Sequence, residues 1–157
     1  MKRLETNFAG LNVRNPFIVS SCNLTNSPEK NKRWEEAGAG AVVLKSLFEE
    51  EIEAEADWMQ EGVHAEEWDY LKTYQRAHRL DEYLKLIRDT KAVCGIPVIA
   101  SINCSRLTEW TEFAKQIEQA GADALELNIM SVCTEVDAEY GSFEREHIEI
   151  VKKIKQT

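Results

Sequence analysis

The sequence predicts an α/β protein built on a parallel sheet, and three observations carry that expectation. Short apolar runs alternate four times with helical patterns, the signature of parallel strands joined by right-handed crossovers. The apolar runs are nearly continuous, as strands covered on both faces require. One grouping also occurs twice: Glu35-Glu36-Ala37-Gly38-Ala39-Gly40-Ala41-Val42-Val43-Leu44 and Glu118-Gln119-Ala120-Gly121-Ala122-Asp123-Ala124-Leu125-Glu126-Leu127. Each is a helix end, a glycine cap, a tight turn and a buried strand. Open doubly wound sheets and β/α barrels both satisfy this pattern.

The elements follow in order. Leu4 to Phe8 and Leu11 to Val13 flank Ala9-Gly10 and predict a small hairpin ahead of the main fold. Asn15-Pro16 punctuates the chain, and Phe17-Ile18-Val19-Ser20-Ser21 is the first buried strand. Ser27 followed by Pro28 supplies an N-cap with proline in the first turn of a helix ending at Gly38. Ala41 to Lys45 is the second strand. Glu49 to Asp57 holds six acidic residues and reads as a solvated helix or loop, since its carboxylates lack calcium-loop spacing. A helix resumes near Glu66 and runs to Lys91 with a break near His78; Leu80, Tyr83, Leu84 and Ile87 form its apolar stripe. Val98 to Asn103 is the third strand. Thr108 caps a helix whose core face is Trp110, Phe113, Ala114, Ile117 and Ala120, ending at Gly121. Ala124 to Ile129 is the fourth strand, and a last helix from about Ser142 presents Ile148, Val151 and Ile154 on one side.

Composition limits the function classes. The chain has 157 residues, 43% hydrophobic and 30% charged, which suits one globular domain. A net charge of −9 argues against general nucleic-acid binding, which needs clustered Lys and Arg. No apolar run approaches the roughly 20 residues of a membrane span, and Met1-Lys2-Arg3-Leu4-Glu5 lacks the apolar stretch of a secretory signal. A cytoplasmic location is expected. Cys22, Cys94, Cys104 and Cys133 form no Cys-x-x-Cys pair and the histidines complete no zinc pattern, so free thiols and no metal are expected. Trp34, Trp58, Trp68 and Trp110 read as packing residues, with Trp58 and Trp68 also placed to cover a substrate.

Polar residues close the strands at their C-terminal ends: Ser20-Ser21, Lys45-Ser46, Asn103 and Asn128. In a β/α barrel these ends converge on the face that holds active sites. Polar residues also commonly begin loops, which is the alternative explanation. A Rossmann sheet is the weaker candidate, because Ser21-Cys22-Asn23-Leu24-Thr25 stands where Gly-x-Gly-x-x-Gly would follow the first strand.

Three segments resemble one known family. Gly10-Leu11-Asn12-Val13-Arg14-Asn15-Pro16-Phe17, leading into Ser20-Ser21, resembles the opening of dihydroorotate dehydrogenases. Ala37 to Ser46 resembles their second strand. Pro97 to Asn103, with Ala120 to Asn128, resembles their third and fourth units. The resemblance covers nearly the whole chain, in the right order, and is strongest to the dihydroorotate dehydrogenase-like branch. It implies a parallel (β/α) TIM-barrel type of fold with about four βα units present, a half barrel comprising residues 1–157 as a single domain.

It also implies FMN. On that resemblance Ser20 and Ser21 approach the isoalloxazine ring. Lys45 is the strand-end lysine beside the flavin, where a fixed positive charge favours the anionic reduced form. Ser46 accompanies it, and Asn103 and Asn128 bind flavin or a pyrimidine-like substrate through amide donor and acceptor pairs. The bland alternative for Lys45 is a lysine snorkelling from a strand end. The loop after the fourth strand, Asn128-Ile129-Met130-Ser131-Val132-Cys133-Thr134, differs from the family's Pro-Asn-rich loop. By ungapped count Ser131 occupies the position of the catalytic base, with Cys133 two residues on. No histidine stands nearby to activate either. The asparagine-bearing substrate loop expected after the second strand is replaced by the acidic segment and Trp58 to Tyr74.

The implied function is an FMN-dependent oxidoreductase acting on the CH–CH group of a dihydropyrimidine-like substrate, within pyrimidine biosynthesis if that substrate is dihydroorotate. A barrel needs eight strands and about 250 residues, so activity is expected to require a C-terminal half carrying the phosphate-binding loops. Unpaired strand edges invite homo-oligomerisation or pairing with a separate C-terminal half. The competing reading is a non-catalytic half barrel or interaction module that self-associates. A third is an aldolase or isomerase barrel with Lys45 as Schiff-base nucleophile.

Overall fold

A computed structural model describes residues 4–52, 65–104, 107–130 and 139–156, the side chains of 65–69 and 107–109 excepted. The chain opens on an antiparallel hairpin, β1 (Thr6–Phe8) and β2 (Leu11–Val13). Ala9 and Gly10 turn it with φ of 50° and 82°, the positive pair that a two-residue hairpin needs. Four parallel βα units follow: β3 (Ile18–Val19) with α1 (Pro28–Glu36), and β4 (Ala41–Val43) and β5 (Leu47–Phe48) with α2 (Ala65–Val93). Then come β6 (Val98–Asn103) with α3 (Leu107–Gln119) and β7 (Ala124–Leu127) with α4 (Ser142–Lys155).

The sheet runs in chain order. β3 pairs with β4, β4 and β5 both lie along one edge of β6, and β7 takes the other edge, all parallel. The helices share one face. Leu80, Tyr83, Leu84 and Ile87 of α2, Trp110, Phe113 and Ile117 of α3, and Ile150 of α4 pack on Val42, Leu44, Val98, Ala100 and Ile102, with Trp34 of α1 alongside. A doubly wound sheet reverses its strand order and carries helices on both faces; neither occurs among the described residues. The opposite face holds a smaller cluster at the N-terminal ends of the strands: Val13, Ala41, Val43 and Ile99, joined by Leu11, Ile18 and Ala124. The hairpin thus plugs that end with Val13.

The repeated grouping is one device used twice. Gly38 and Gly121 adopt φ of 105° and 94°. Their N–H groups bond to the carbonyls of Glu35 and Glu118, and Ala39 and Ala122 bond to those of Trp34 and Ile117. Both are Schellman closures, which only glycine enters without strain. The next residue of the first copy, Gly40, is demanded by proximity, since a Cβ there would lie 2.2 Å from the Asn15 carbonyl oxygen. Arg14 and Asn15 donate to the carbonyls of Ala39 and Gly38 at 2.9 Å each, tying the hairpin exit to this turn.

Several expectations are corrected. The first strand is only two residues, Ile18 and Val19, the two positions that pair with β4. Leu47–Phe48 forms a further strand that the acidic residues after it disguised. α2 is continuous past His78, and its buried stripe begins just beyond, at Leu80. Thr108 lies inside α3 rather than at its cap. In α4 the buried residue is Ile150 at 5% exposure, whereas Ile148 and Val151 are exposed at 51% and 39%. The inward face is set by where α3 and the sheet lie, not by the densest apolar spacing. No helix among the described residues is long and apolar enough to cross a membrane.

Candidate functional site

The register across β4, β5 and β6 contains an irregularity that shapes the site. Val43 is opposite Ile99 and Leu47 is opposite Ile102, so four steps along one strand meet three along its neighbour. The surplus residue within Leu44-Lys45-Ser46 is a bulge, a feature that re-aims side chains and unpairs the neighbouring ladder. The unpaired groups are the N–H and C=O of Ser101. Tyr83 of α2 satisfies both: its hydroxyl accepts from Ser101 N at 2.7 Å and donates to Ser101 O at 2.9 Å. Burial pushes the Tyr83 phenol far above its ordinary value, which keeps it protonated for this double role.

On the face away from the helices, side chains change from apolar to polar toward the C-terminal ends of the strands. Above Ile99 and Val43 lies a line of hydrogen bonds that runs from the segments following β3 and β4 onto β6 and β7. Ser21 Oγ is 2.9 Å from Ser46 Oγ, Ser46 Oγ is 2.7 Å from Ser101 Oγ, and Ser101 Oγ donates to Glu126 Oε1 at 2.7 Å. Ser46 N–H donates to Ser21 Oγ at 2.9 Å. One layer further, Asn103 Nδ2 donates to the Asn128 carbonyl at 2.6 Å.

These groups border an open cavity of about 730 Å³, within the size range of cofactor and substrate clefts. Ser20, Ser21, Lys45, Ser46 and Asn128, all singled out in the sequence, line it. Asn103 stands behind Asn128, 5% exposed. Ser131 and Cys133 lie outside the described residues. Lys45 follows β4 within the bulge. Its Nζ sits 4.6 Å above the Phe48 ring and 3.9 Å from Glu51 Oε1, so the cation is held at the cavity edge by an aromatic face and a carboxylate. Cys104, next to Asn103, is a poor nucleophile: burial, then the nearby Glu49 charge, pushes its thiol up to about 12.

Sequence reasoning missed Ser101, Glu126 and Tyr83, and the wall residues Cys22, Asn23 and Phe48. The signal for two of them was present. Ser101 and Glu126 interrupt otherwise apolar strands on the alternation that also carries Asn103 and Asn128. Tyr83 was assigned to the helix stripe, and nothing in its spacing reveals a hydroxyl bonded to the strand that follows.

Comparison with known proteins bears on this arrangement. No protein-family model matches the chain. It is 29% identical over 134 residues to the catalytic subunit of dihydroorotate dehydrogenase B (NAD(+)) of Thermoplasma volcanium, covering 82% of this chain and 42% of that protein. It is 30% identical over 135 residues to the NAD-dependent dihydropyrimidine dehydrogenase subunit PreA of Escherichia coli, covering 81% of this chain and 32% of that subunit. The chain therefore spans about a third to two-fifths of the length of these relatives.

Proposed function

We propose, from the premise that this chain is related over four-fifths of its length to the N-terminal half of dihydroorotate and dihydropyrimidine dehydrogenases, that it forms half of a flavin-dependent oxidoreductase. In this reading the one-sided layer of helices and the chain-ordered strands are the first four units of a β/α barrel, and closure and activity need a second half. The substrate is a dihydropyrimidine-like ring, reacting at its CH–CH bond, and the location is the cytoplasm.

The observation that carries this reading is the gathering of Ser20, Ser21, Lys45, Ser46 and Asn128 around one cavity at the C-terminal strand ends. The donor set fits FMN: small hydroxyl side chains allow a flat ring to approach closely, amides match its alternating carbonyl and N–H edge, and Lys45 supplies positive charge at the rim. Bound there, FMN would supply hydride chemistry. The chain's own residues would orient the ring, hold a cation beside it and exclude water from the polar shelf. Removal of the substrate proton falls to the loop holding Ser131 and Cys133.

The test is to combine this chain with the C-terminal half of a relative, in trans or as a fusion, and titrate FMN. The expected result is stoichiometric flavin absorbance that bleaches with dihydroorotate or dihydrouracil, with Lys45→Ala weakening reduction at least tenfold. A colourless, well-folded complex would overturn the flavin reading. The edges of β3 and β7 have no partner strand among the described residues. A self-associated, flavin-free chain on size exclusion would favour a non-catalytic interaction module instead.

A further inference from the structure

The hydrogen-bonded line Ser21–Ser46–Ser101–Glu126 has a direction that its chemistry fixes. A carboxylate only accepts, so the Ser101 hydroxyl must donate to Glu126 Oε1. Its single proton is then spent. In the 2.7 Å contact between Ser46 and Ser101, Ser46 must be the donor. The same step applies once more, and Ser21 must donate to Ser46 across 2.9 Å. Ser46 N–H simultaneously donates to Ser21 Oγ. Every proton in the line points toward Glu126.

The two inner members are buried, Ser46 at 8% and Ser101 at 0% exposure. Both ends of the line stand on the cavity wall, Glu126 exposed and Ser21 half-buried. Ser21 has its proton committed inward and one of its lone pairs taken by Ser46 N–H. What remains for a ligand is a lone pair, an acceptor. We propose that Glu126 and Ser101 are positioning residues that lock Ser21 as a hydrogen-bond acceptor, so that this point of the cavity selects a ring N–H over a ring carbonyl, deprotonated nitrogen or N-alkyl group. For the identity of the ligand this rests on the function proposed above. An imide or lactam N–H is shared by a flavin and a pyrimidine, and either ring supplies it.

The line can be cut without removing Ser21. In Ser101→Ala the Ser46 hydroxyl loses its acceptor and can turn to Ser21, releasing the Ser21 proton into the cavity. The main-chain bonds of residue 101 to Tyr83 remain, so the fold is retained. Glu126→Gln weakens the lock differently, because its amide can donate to Ser101 and reverse the line.

Neutron diffraction of the ligand-free chain reads the direction itself. The expected result is a deuteron on each of Ser21, Ser46 and Ser101 on the side facing Glu126; a Ser21 deuteron directed into the cavity overturns the inference. Binding to the chain combined with the C-terminal half of a relative supplies the second reading, with riboflavin against 3-methylriboflavin and uracil against 3-methyluracil. One pair is expected to show about a fivefold loss on methylation, the worth of one net hydrogen bond, and that pair identifies the source of the ring. The ratio should fall to about one in Ser21→Ala and Ser101→Ala and shrink in Glu126→Gln. A ratio that survives Ser101→Ala, or a wild-type chain that binds both members of each pair equally, overturns it. If no ring binds, the flavin reading fails, and the deuteron positions still decide the inference.

Discussion

Tyr83 and Ser101 show how a single hydroxyl can compensate for a lost strand contact. Removing it in Tyr83→Phe leaves a buried N–H and C=O without partners, at a cost of about 1–3 kcal/mol. A fall in the denaturant midpoint with an unchanged slope is the expected result; an unchanged midpoint would mean that water takes the hydroxyl's place. Glu35 makes a different kind of contribution. Its carboxyl accepts from Lys32 Nζ at 2.7 Å and from Gly95 N at 2.9 Å. The Lys32 bond holds it below the usual carboxylate range against the opposing effect of burial, with Gly95 assisting. A depressed folded value stabilises the protein above the unfolded value, about 4.3, and that stability is lost as pH falls through the folded one. Glu35→Gln should therefore flatten the acid limb of a stability–pH curve and leave its slope above pH 6 unchanged. Of the site residues, those at strand ends were legible because polarity there breaks an apolar run. Tyr83 was not, because a helix stripe conceals which of its members carries a polar tip inward.

The elements were legible wherever local chemistry dictates them. The Ala9-Gly10 hairpin, the Ser27-Pro28 helix start, the two glycine closures and the six residues of β6 all follow from the sequence. The failures share a cause, since each depended on a neighbour. The two-residue length of β3 reflects how far its pairing with β4 extends, β5 exists only because β6 offers Ile102 and Asn103, and the rotation of α4 is set by what it packs against. That last point has a direct test. Ile150→Ala should cost about 2–5 kcal/mol, as buried Ile truncations do, while Ile148→Ala should stay within about 0.5 kcal/mol. Thermal or denaturant unfolding of the pair checks it, and equal losses would restore the face predicted from spacing alone.

Across the whole molecule, β6 is the axis of the sheet: it pairs with β4 and β5 on one edge and β7 on the other, and all six of its residues are buried. Native-state hydrogen exchange should find its amides the slowest in the chain and those of β3 among the fastest of the strands. Comparable protection of β3 would indicate a partner strand on its free edge. The parallel α/β class could be read from alternation, but one-sided winding could not, because each helix covers a strand in the same way whichever face it lies on. Only the strand order and the shared helix layer decide it.

The surplus residue between Val43 and Leu47 acts as a phase shifter. Upstream of it, odd-numbered side chains point away from the helices; downstream, Leu47 turns toward them and Ser46 away. Deleting one residue from Leu44-Lys45-Ser46 would restore regular pairing and make Tyr83 redundant as a plug. It would also dismantle the serine line and the seat of Lys45, so any shortening of this segment would trade the cavity for a smoother sheet.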